Sequence, residues 1–218
     1  MRKICSVMIV FLFSVGSALA AIEAKGFTFD FLSDYVSRGW TTEDGMPSNT
    51  VTDIIQDESG YMYFGTYEGM VRFDGIDFTI FNRALDDKYD FASARAVFQA
   101  SDGAIWVGSN NEGVFRIVMD SNREVLAFST ANGLPNNSIR DIEEDAEGNM
   151  WIATAGGVVY ITKNFDIVTP DEPFIREHSD LKSVCTTLYC DSVGKMWVTT
   201  AAEGGIYVFS AGKGQKYK

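Results

Sequence analysis

"DESGYMYFGT" (57–66) returns three more times along the chain, as "ASDGAIWVGS" (100–109), "DAEGNMWIAT" (145–154) and "DSVGKMWVTT" (191–200). In each copy a glycine precedes an aromatic residue by three positions: Gly60 and Tyr63, Gly103 and Trp106, Gly148 and Trp151, Gly194 and Trp197. Successive glycines lie 43, 45 and 46 residues apart. A small residue stands two positions beyond the aromatic (Gly65, Gly108, Ala153, Thr199). A second glycine then opens another apolar run: "GMVRF" (69–73), "GVFRI" (113–117), "GVVYI" (157–161) and "GIYVF" (205–209). Self-similarity at a fixed period of roughly 20–50 residues marks a solenoid, propeller or array.

Within one period four short strands can be placed. In the first copy "VTDIIQD" (51–57) alternates loosely and "YMYFGT" (61–66) is almost continuously apolar. "MVRFD" (70–74) and "FTIFN" (78–82) follow, with "GID" as the turn between them. The junctions carry Gly, Asp, Asn or Ser, which supply positive φ or bond their own backbone in tight turns. Asp57 to Gly60, Asp145 to Gly148 and Asp191 to Gly194 have the Asp-first, Gly-last profile of a type I turn. In the second copy, Ala100-Ser101-Asp102-Gly103, the aspartate has moved. A strand apolar at successive positions is buried on both faces, which suits a sheet packed between two like sheets. Propeller blades pack so, are four-stranded, and recur at about 40–50 residues. Helical repeats need apolar residues three and four apart over about ten positions, a pattern not found here. The expectation is an all-β fold: a β-propeller of about four four-stranded blades within 27–218, the blades at about 51–82, 93–130, 138–169 and 183–210. Tyr63, Trp106, Trp151 and Trp197 are expected to fill the space between blades, with Gly60, Gly103, Gly148 and Gly194 in the turns.

The ends carry separate signals. "MRKICSVMIVFLFSVGSALA" (1–20) has a basic start at Arg2 and Lys3, an apolar run from Ile4 to Val15, and small residues at Ala18 and Ala20. That is the layout of a secretory signal peptide, and the run is shorter than the roughly 20 apolar residues a spanning helix needs. The mature chain is expected to be exported, periplasmic or extracellular, with no membrane-spanning segment. Without residues 1–20 it holds 16 basic and 30 acidic residues, a net charge of −14. So acidic a surface repels nucleic acid and anionic membranes. Cys185 and Cys190 remain, and five positions along one strand separate them by about 16 Å. A disulfide needs Cα atoms about 4.4–6.8 Å apart, so both read as small buried residues. The chain reads "GKGQKYK" (212–218) where the last strand of a fourth blade should follow "GIYVFS" (205–210). The expectation is an incomplete ring; the alternative is that the orphan strand "FTFDFL" (27–32) supplies that last strand and closes four blades. An incomplete ring exposes the outer faces of its terminal blades and invites pairing.

Residues for catalysis are sparse. The one histidine, His178, sits in the polar connection "DEPFIREHSDLKS" (171–183) beside Ser179 and Asp180, and neighbours in sequence seldom form a relay. A zinc site wants three or four ligands at set spacings. The acidic run "RDIEEDAEGN" (140–149) offers Asp141, Glu143, Asp145 and Glu147, without the glycine and glutamate positions of a calcium loop. No metal and no cofactor is expected. Asp53 and Asp141 on first strands are the acid/base candidates, with no histidine beside them.

Two longer stretches sharpen the reading. "TTEDGMPSNTVTDIIQDESGYMYFGTYEGMVRFDG" (41–75) and "TANGLPNNSIRDIEEDAEGNMWIATAGGVVYI" (130–161) share a Gly-(Met/Leu)-Pro-x-Asn entry into the first strand. This pattern resembles the two-component regulator propeller repeat. The matching positions are Gly45, Pro47, Asn49, Val51, Ile54, Asp57, Gly60, Met62, Tyr63 and Gly65, then Gly133, Leu134, Pro135, Asn137, Ile139, Ile142, Asp145, Gly148, Met150, Trp151 and Ala153. The resemblance covers about 29–210, and copies two and four lack the Gly-Leu-Pro entry. It implies a non-enzymatic exported sensor module, normally followed by a transmembrane helix and an output domain, and oligosaccharide as a ligand class. This chain has four copies and no such output domain, so a truncated or N-terminal piece of a longer sensor is implied. On a glycan-binding reading the candidate residues are Trp40, Asn49, Tyr67, Asn110, Asn111, Asn136 and Asn137. The simpler roles for these are turn formation for the asparagines and packing for Trp40. Partners expected are a small molecule or oligosaccharide, or another propeller copy or protein. The other functions weighed are a structural or protein-binding propeller and an exported propeller lyase.

Overall fold

The structure, a computed structural model, describes residues 37–217 apart from Asp90, Ser121, Glu203 and Gly204. The expected signal peptide at 1–20 and the expected strand at 27–32 lie outside the described residues. Residues from Trp40 onward form one compact unit, built of four antiparallel four-stranded sheets. Blade one is β1 (Val51–Gln56), β2 (Met62–Thr66), β3 (Gly69–Phe73) and β4 (Phe78–Phe81). Blade two is β5 (Ala94–Gln99), β6 (Ile105–Ser109), β7 (Val114–Ile117) and β8 (Val125–Phe128). Blade three is β9 (Ile139–Glu144), β10 (Met150–Thr154), β11 (Gly157–Ile161) and β12 (Ile167–Val168). Blade four is β13 (Cys185–Cys190), β14 (Met196–Thr200), β15 (Ile206–Ser210) and β16 (Lys213–Tyr217). The first strands pack side by side, β1 on β5, β5 on β9 and β9 on β13, and no such packing joins β13 to β1 among the described residues. The blades make an open arc around their first strands.

Three apolar cores hold the arc, each between consecutive blades. Tyr63, Met70 and Phe81 of blade one meet Val97, Val107 and Phe115 of blade two. Trp106, Val114 and Phe128 meet Ile139, Ile142 and Ile152. Trp151, Ala153 and Val158 meet Leu188, Val198 and Tyr207. The second strand of a middle blade therefore has a neighbour on both faces, and β6 and β10 are buried at every position. The small residue lets the next blade in. A Cβ on Gly108 would lie 2.5 Å from Cγ2 of Ile139, far inside van der Waals contact.

The turn aspartate also holds the aromatic ring. Trp151 Nε1 donates to Asp145 Oδ2 at 2.8 Å, and Trp197 Nε1 donates to Asp191 Oδ2 at 3.0 Å. In blade two Ala100 stands in that place, and Trp106 Nε1 is buried without an acceptor. A neighbouring contact accounts for the exchange. Glu144, at the end of β9, accepts from Ser101 N (2.7 Å) and Ser101 Oγ (2.6 Å) across the blade boundary. An aspartate at position 100 would set a second carboxylate beside it. At the boundary of blades one and two the matching contact is neutral, Glu58 N donating to Gln99 Oε1 at 3.1 Å.

Three details depart from the sequence expectation. The fourth blade does not stop at residue 210: β16 pairs with β15 from Ile206 opposite Tyr217 to Ser210 opposite Lys213, so no strand from 27–32 is needed to complete it. The two strands join through Ala211 (φ 50°) and Gly212 (φ 73°), the paired positive φ of a tight hairpin turn. "KGQKY" has no apolar alternation because it lies on an exposed edge, and pairing supplies what its composition lacks. The connection after blade three is not all loop: α1 (Glu172–Glu177), with Pro173 in its first turn, is followed by a 3₁₀ turn over Ser179–Lys182, and Ile175 and Leu181 join the third core. Trp197 is half-buried rather than core, because no further sheet among the described residues covers its outer side. Cys185 and Cys190 both lie on β13 as free thiols, the first buried and the second half-buried; burial pushes the Cys185 thiol up to about 12.

Candidate functional site

An antiparallel meander sends the start of each first strand, the second hairpin of each blade and the links between blades to one end of the arc. The link entering blade one and the link entering blade three are built alike. A Thr41 or Ser129 cap opens a short 3₁₀ turn, Thr42–Asp44 or Thr130–Asn132. Asn49 Oδ1 then accepts from Thr42 N (2.9 Å) and Asn137 Oδ1 from Thr130 N (2.7 Å), while Met46 and Leu134 are buried beneath. These two asparagines pin their own loops. Asn136 Oδ1 accepts from Ser138 N at 2.8 Å, an Asx turn. The Asn111 amide N–H donates to Ser109 Oγ. Tyr67 is exposed on the β2–β3 hairpin, and Trp40 is partly exposed with its ring edge-on to Phe73 at 5.2 Å. A hollow of about 430 Å³ opens at this end, lined by Glu68, Asn82, Arg83, Phe91 and Glu112 among others.

The first strands share a bulge. Register slips in every blade between the first and third residues, leaving Thr52, Arg95, Arg140 and Thr186 as the extra residues. Bulges re-aim side chains and recur beside functional sites. The residue after the bulge is Asp53, Ala96, Asp141 or Thr187, and the two aspartates each bridge two blades. Asp53 accepts from Ile54 N and from Val97 N of blade two, both at 2.8 Å. Asp141 accepts from Ile142 N (2.9 Å) and from Leu188 N of blade four (2.7 Å). Burial is the leading influence on both carboxyls and raises their pKa against these hydrogen bonds. Asp141, which also feels the Asp53 charge, is pushed up to about 6. The acid/base candidates are thus inter-blade clasps with both oxygens engaged.

Sequence reasoning passed over the two arginines. Arg95 Nη1 lies 3.3 Å from Asn110 Oδ1, which lies 3.3 Å from Ser138 Oγ, so Asn110 and the 136–138 segment meet here. The Arg140 Nε is buried with no hydrogen-bond partner. Burial first, and then the neighbouring Arg95 charge, weakens Arg140's hold on its proton. His178 stands elsewhere, its Nδ1 at 2.9 Å from the Phe174 carbonyl and its ring against Phe174 and Tyr207. In the acidic run, Asp145 takes hydrogen bonds from Glu147 N, Asn149 and Trp151.

Residues 45–68 and 133–156 match the two-component regulator propeller family. The chain carries two-component regulator propeller repeats. Each matched repeat runs from the glycine of the entry loop through the pinning asparagine, the bridging aspartate and the second strand to the following hairpin. Among curated relatives, the histidine kinase P4 of Formosa agariphila is 35% identical over 75 residues, which is 31% of this chain and 5% of that protein. Among solved structures, the extracellular domain described as that of a hybrid two-component system from B. thetaiotaomicron aligns with a TM-score of 0.63 and 22% identity, over 76% of this chain and 21% of that one. A second such domain from the same organism, described as that of a one-component system, gives 0.65 and 20%, over 79% and 25%. Virginiamycin B lyase from Staphylococcus aureus gives 0.59 and 14%, over 79% and 57%. These likenesses establish the propeller fold. The chain spans a quarter or less of the length of the histidine kinase and of the two extracellular domains.

Proposed function

We propose that this chain is a periplasmic, non-enzymatic ligand-sensing module of a two-component-type signalling system, exported by the leader at 1–20. The observation that carries this reading is the pair of family repeats whose entry loops are stapled alike by Asn49 and Asn137. Entry loops stapled in this way hold one end of the arc, where Tyr67 and Asn111 are exposed to a small molecule or oligosaccharide. Ligand bound there acts by changing how the propeller packs against another copy or against the remainder of a sensor. No helix among the described residues is long and apolar enough to cross a membrane.

The test is a thermal-shift screen of oligosaccharides against the secreted protein, with light scattering on each hit. A ligand that raises the melting temperature and changes the oligomeric mass supports sensing. No ligand response, together with turnover of any substrate by wild type that D141N abolishes, would replace sensing with an exported lyase. A protein-binding propeller is favoured by one separate observation: the outer face of blade four exposes Tyr189, Ile206 and Tyr217. A stable self-complex unaffected by small molecules selects that second reading.

A further inference from the structure

We propose that Arg95 and Arg140 form a binding site for an oxyanion, the carboxylate or sulfate group of an acidic ligand, at the loop end of the first strands. This goes beyond sensing, since the site takes its anion whether or not binding is transmitted.

The two arginines occupy the same bulge position on adjacent strands, β5 and β9, which pack against each other. The bulge itself needs no guanidinium. Blades one and four place threonine there, and each hydroxyl is satisfied: Thr52 Oγ1 donates to the Ala94 carbonyl at 2.7 Å, and Thr186 Oγ1 lies 2.7 Å from Thr199 Oγ1. Arg140 has no hydrogen bond or ion pair among the described residues, and its Nε is shut off from water. A buried donor left unmet is costly, and more so when charged; a like charge alongside adds to it.

Scarcity of carboxylates does not explain this. The chain has a net charge of −12, yet the carboxylates nearest in sequence and on the packed strands are engaged elsewhere. Asp141 and Asp53 hold backbone amides of the next blade, Glu144 holds Ser101, and Glu112 contacts the Ser109 hydroxyl. Among the described residues, the hydrogen-bond partners recorded for this arginine pair are neutral: Asn110 on Arg95, and through it Ser138. Two planar donor forks with a hydroxyl nearby match the geometry of a carboxylate or sulfate, and the guanidinium stays charged where an ammonium would lose its proton.

The experiment titrates the folded chain separately with sulfate, phosphate and glucuronate, chloride being exchanged to hold ionic strength constant. Arginine Nε–Hε resonances and melting temperature are the readouts. The expected result is a saturable shift of the Arg140 resonance with at least one anion, accompanied by a rise in melting temperature. Affinity should fall about tenfold or more in R140Q and in R95Q, a loss of about 1.4 kcal/mol. R116Q, which removes an arginine paired with Asp102, should bind as wild type does. Without anion, R140Q should melt no lower than wild type, because it removes an unmet charge. Saturation by glucuronate identifies an acidic sugar or peptide carboxylate as the natural group, and saturation by sulfate or phosphate alone identifies a tetrahedral ester. The proposal is overturned if no anion gives a saturable shift, if R140Q binds as tightly as wild type, or if R140Q melts several degrees lower without anion. Binding of a neutral oligosaccharide by wild type and R140Q alike, with no saturable shift by any anion, would retain sensing and remove the oxyanion site.

Discussion

The two middle blades and the two terminal blades are written in the same repeat, yet only the middle ones are finished. β6 and β10 are buried at all five positions, whereas β2 and β14 alternate between buried and half-buried residues. Ile54 on the outer face of blade one is 44% exposed where the inner blades bury Val97 and Ile142, and Tyr189 on the outer face of blade four is 61% exposed where they half-bury Phe98 and Glu143. A blade's stability is therefore not a property of its own sequence. It comes from the faces of two neighbours, as in other stacked-repeat proteins.

The sharpest way to break the comparison is to remove the same ring from an inner and an outer blade. W151A should cost about 4 kcal/mol, in the range for deleting a large buried aromatic, and W197A about half of that, because Trp197 is already half-exposed. Chemical denaturation with a common slope measures both. The small-residue position gives the next largest contrast. G108V drives a branched side chain into Ile139 and should cost about 3 kcal/mol, while T199V at the same repeat position, which loses only an exposed hydroxyl contact to Thr186, should cost about 1 kcal/mol or less.

Acid should sharpen the boundary of blades three and four. Burial lifts the folded-state pKa of Asp141 to about 6, above its value in the unfolded chain, so the folded protein holds this proton more tightly. Its charged form therefore works against folding above pH 6, and that penalty is relieved as pH falls through 6. Stability should be about 1–2 kcal/mol greater at pH 5 than at pH 7.5 from this group. D141N should flatten that part of the pH–stability curve, and an unchanged curve would show that Asp141 does not carry it.

The smallest effect concerns the orphaned indole of blade two. A100D restores the acceptor that Asp145 and Asp191 provide in the other Trp-bearing blades, but places it beside Glu144. In an E144Q background A100D should add about 1 kcal/mol, and in the wild-type background less. A double-mutant cycle by thermal denaturation resolves the difference.

Much of the blade was legible because its signals are local. The turn from Asp145 to Gly148, the two-faced apolar strand from Met150 to Thr154 and the small residue at Ala153 depend on residues within about ten positions of one another. The displaced aspartate at Ala100 to Gly103 was visible as well, but not its consequence, since the Glu144 that accounts for it lies 43 residues on. β16 escaped notice because an exposed edge strand needs no apolar pattern. α1 escaped notice because its six residues bury only one large side chain. Of the residues singled out for ligand binding, Asn49 and Asn137 proved to be engaged as loop staples, while Arg95 and Arg140 were unweighted even though aligning the four first strands sets them in one column.

By itself the sequence determined the class of fold, the strands that face neighbours on both sides, and the turns that separate them. Those follow from hydrophobic period and turn chemistry, which act over a few residues. Only the tertiary structure decided which blades are covered, that Asp53 and Asp141 reach backbone amides 44 and 47 residues away, and that two arginines from adjacent blades share one place. Such contacts depend on how sheets stack, and a β-bulge turns a side chain toward a neighbour that no local pattern encodes.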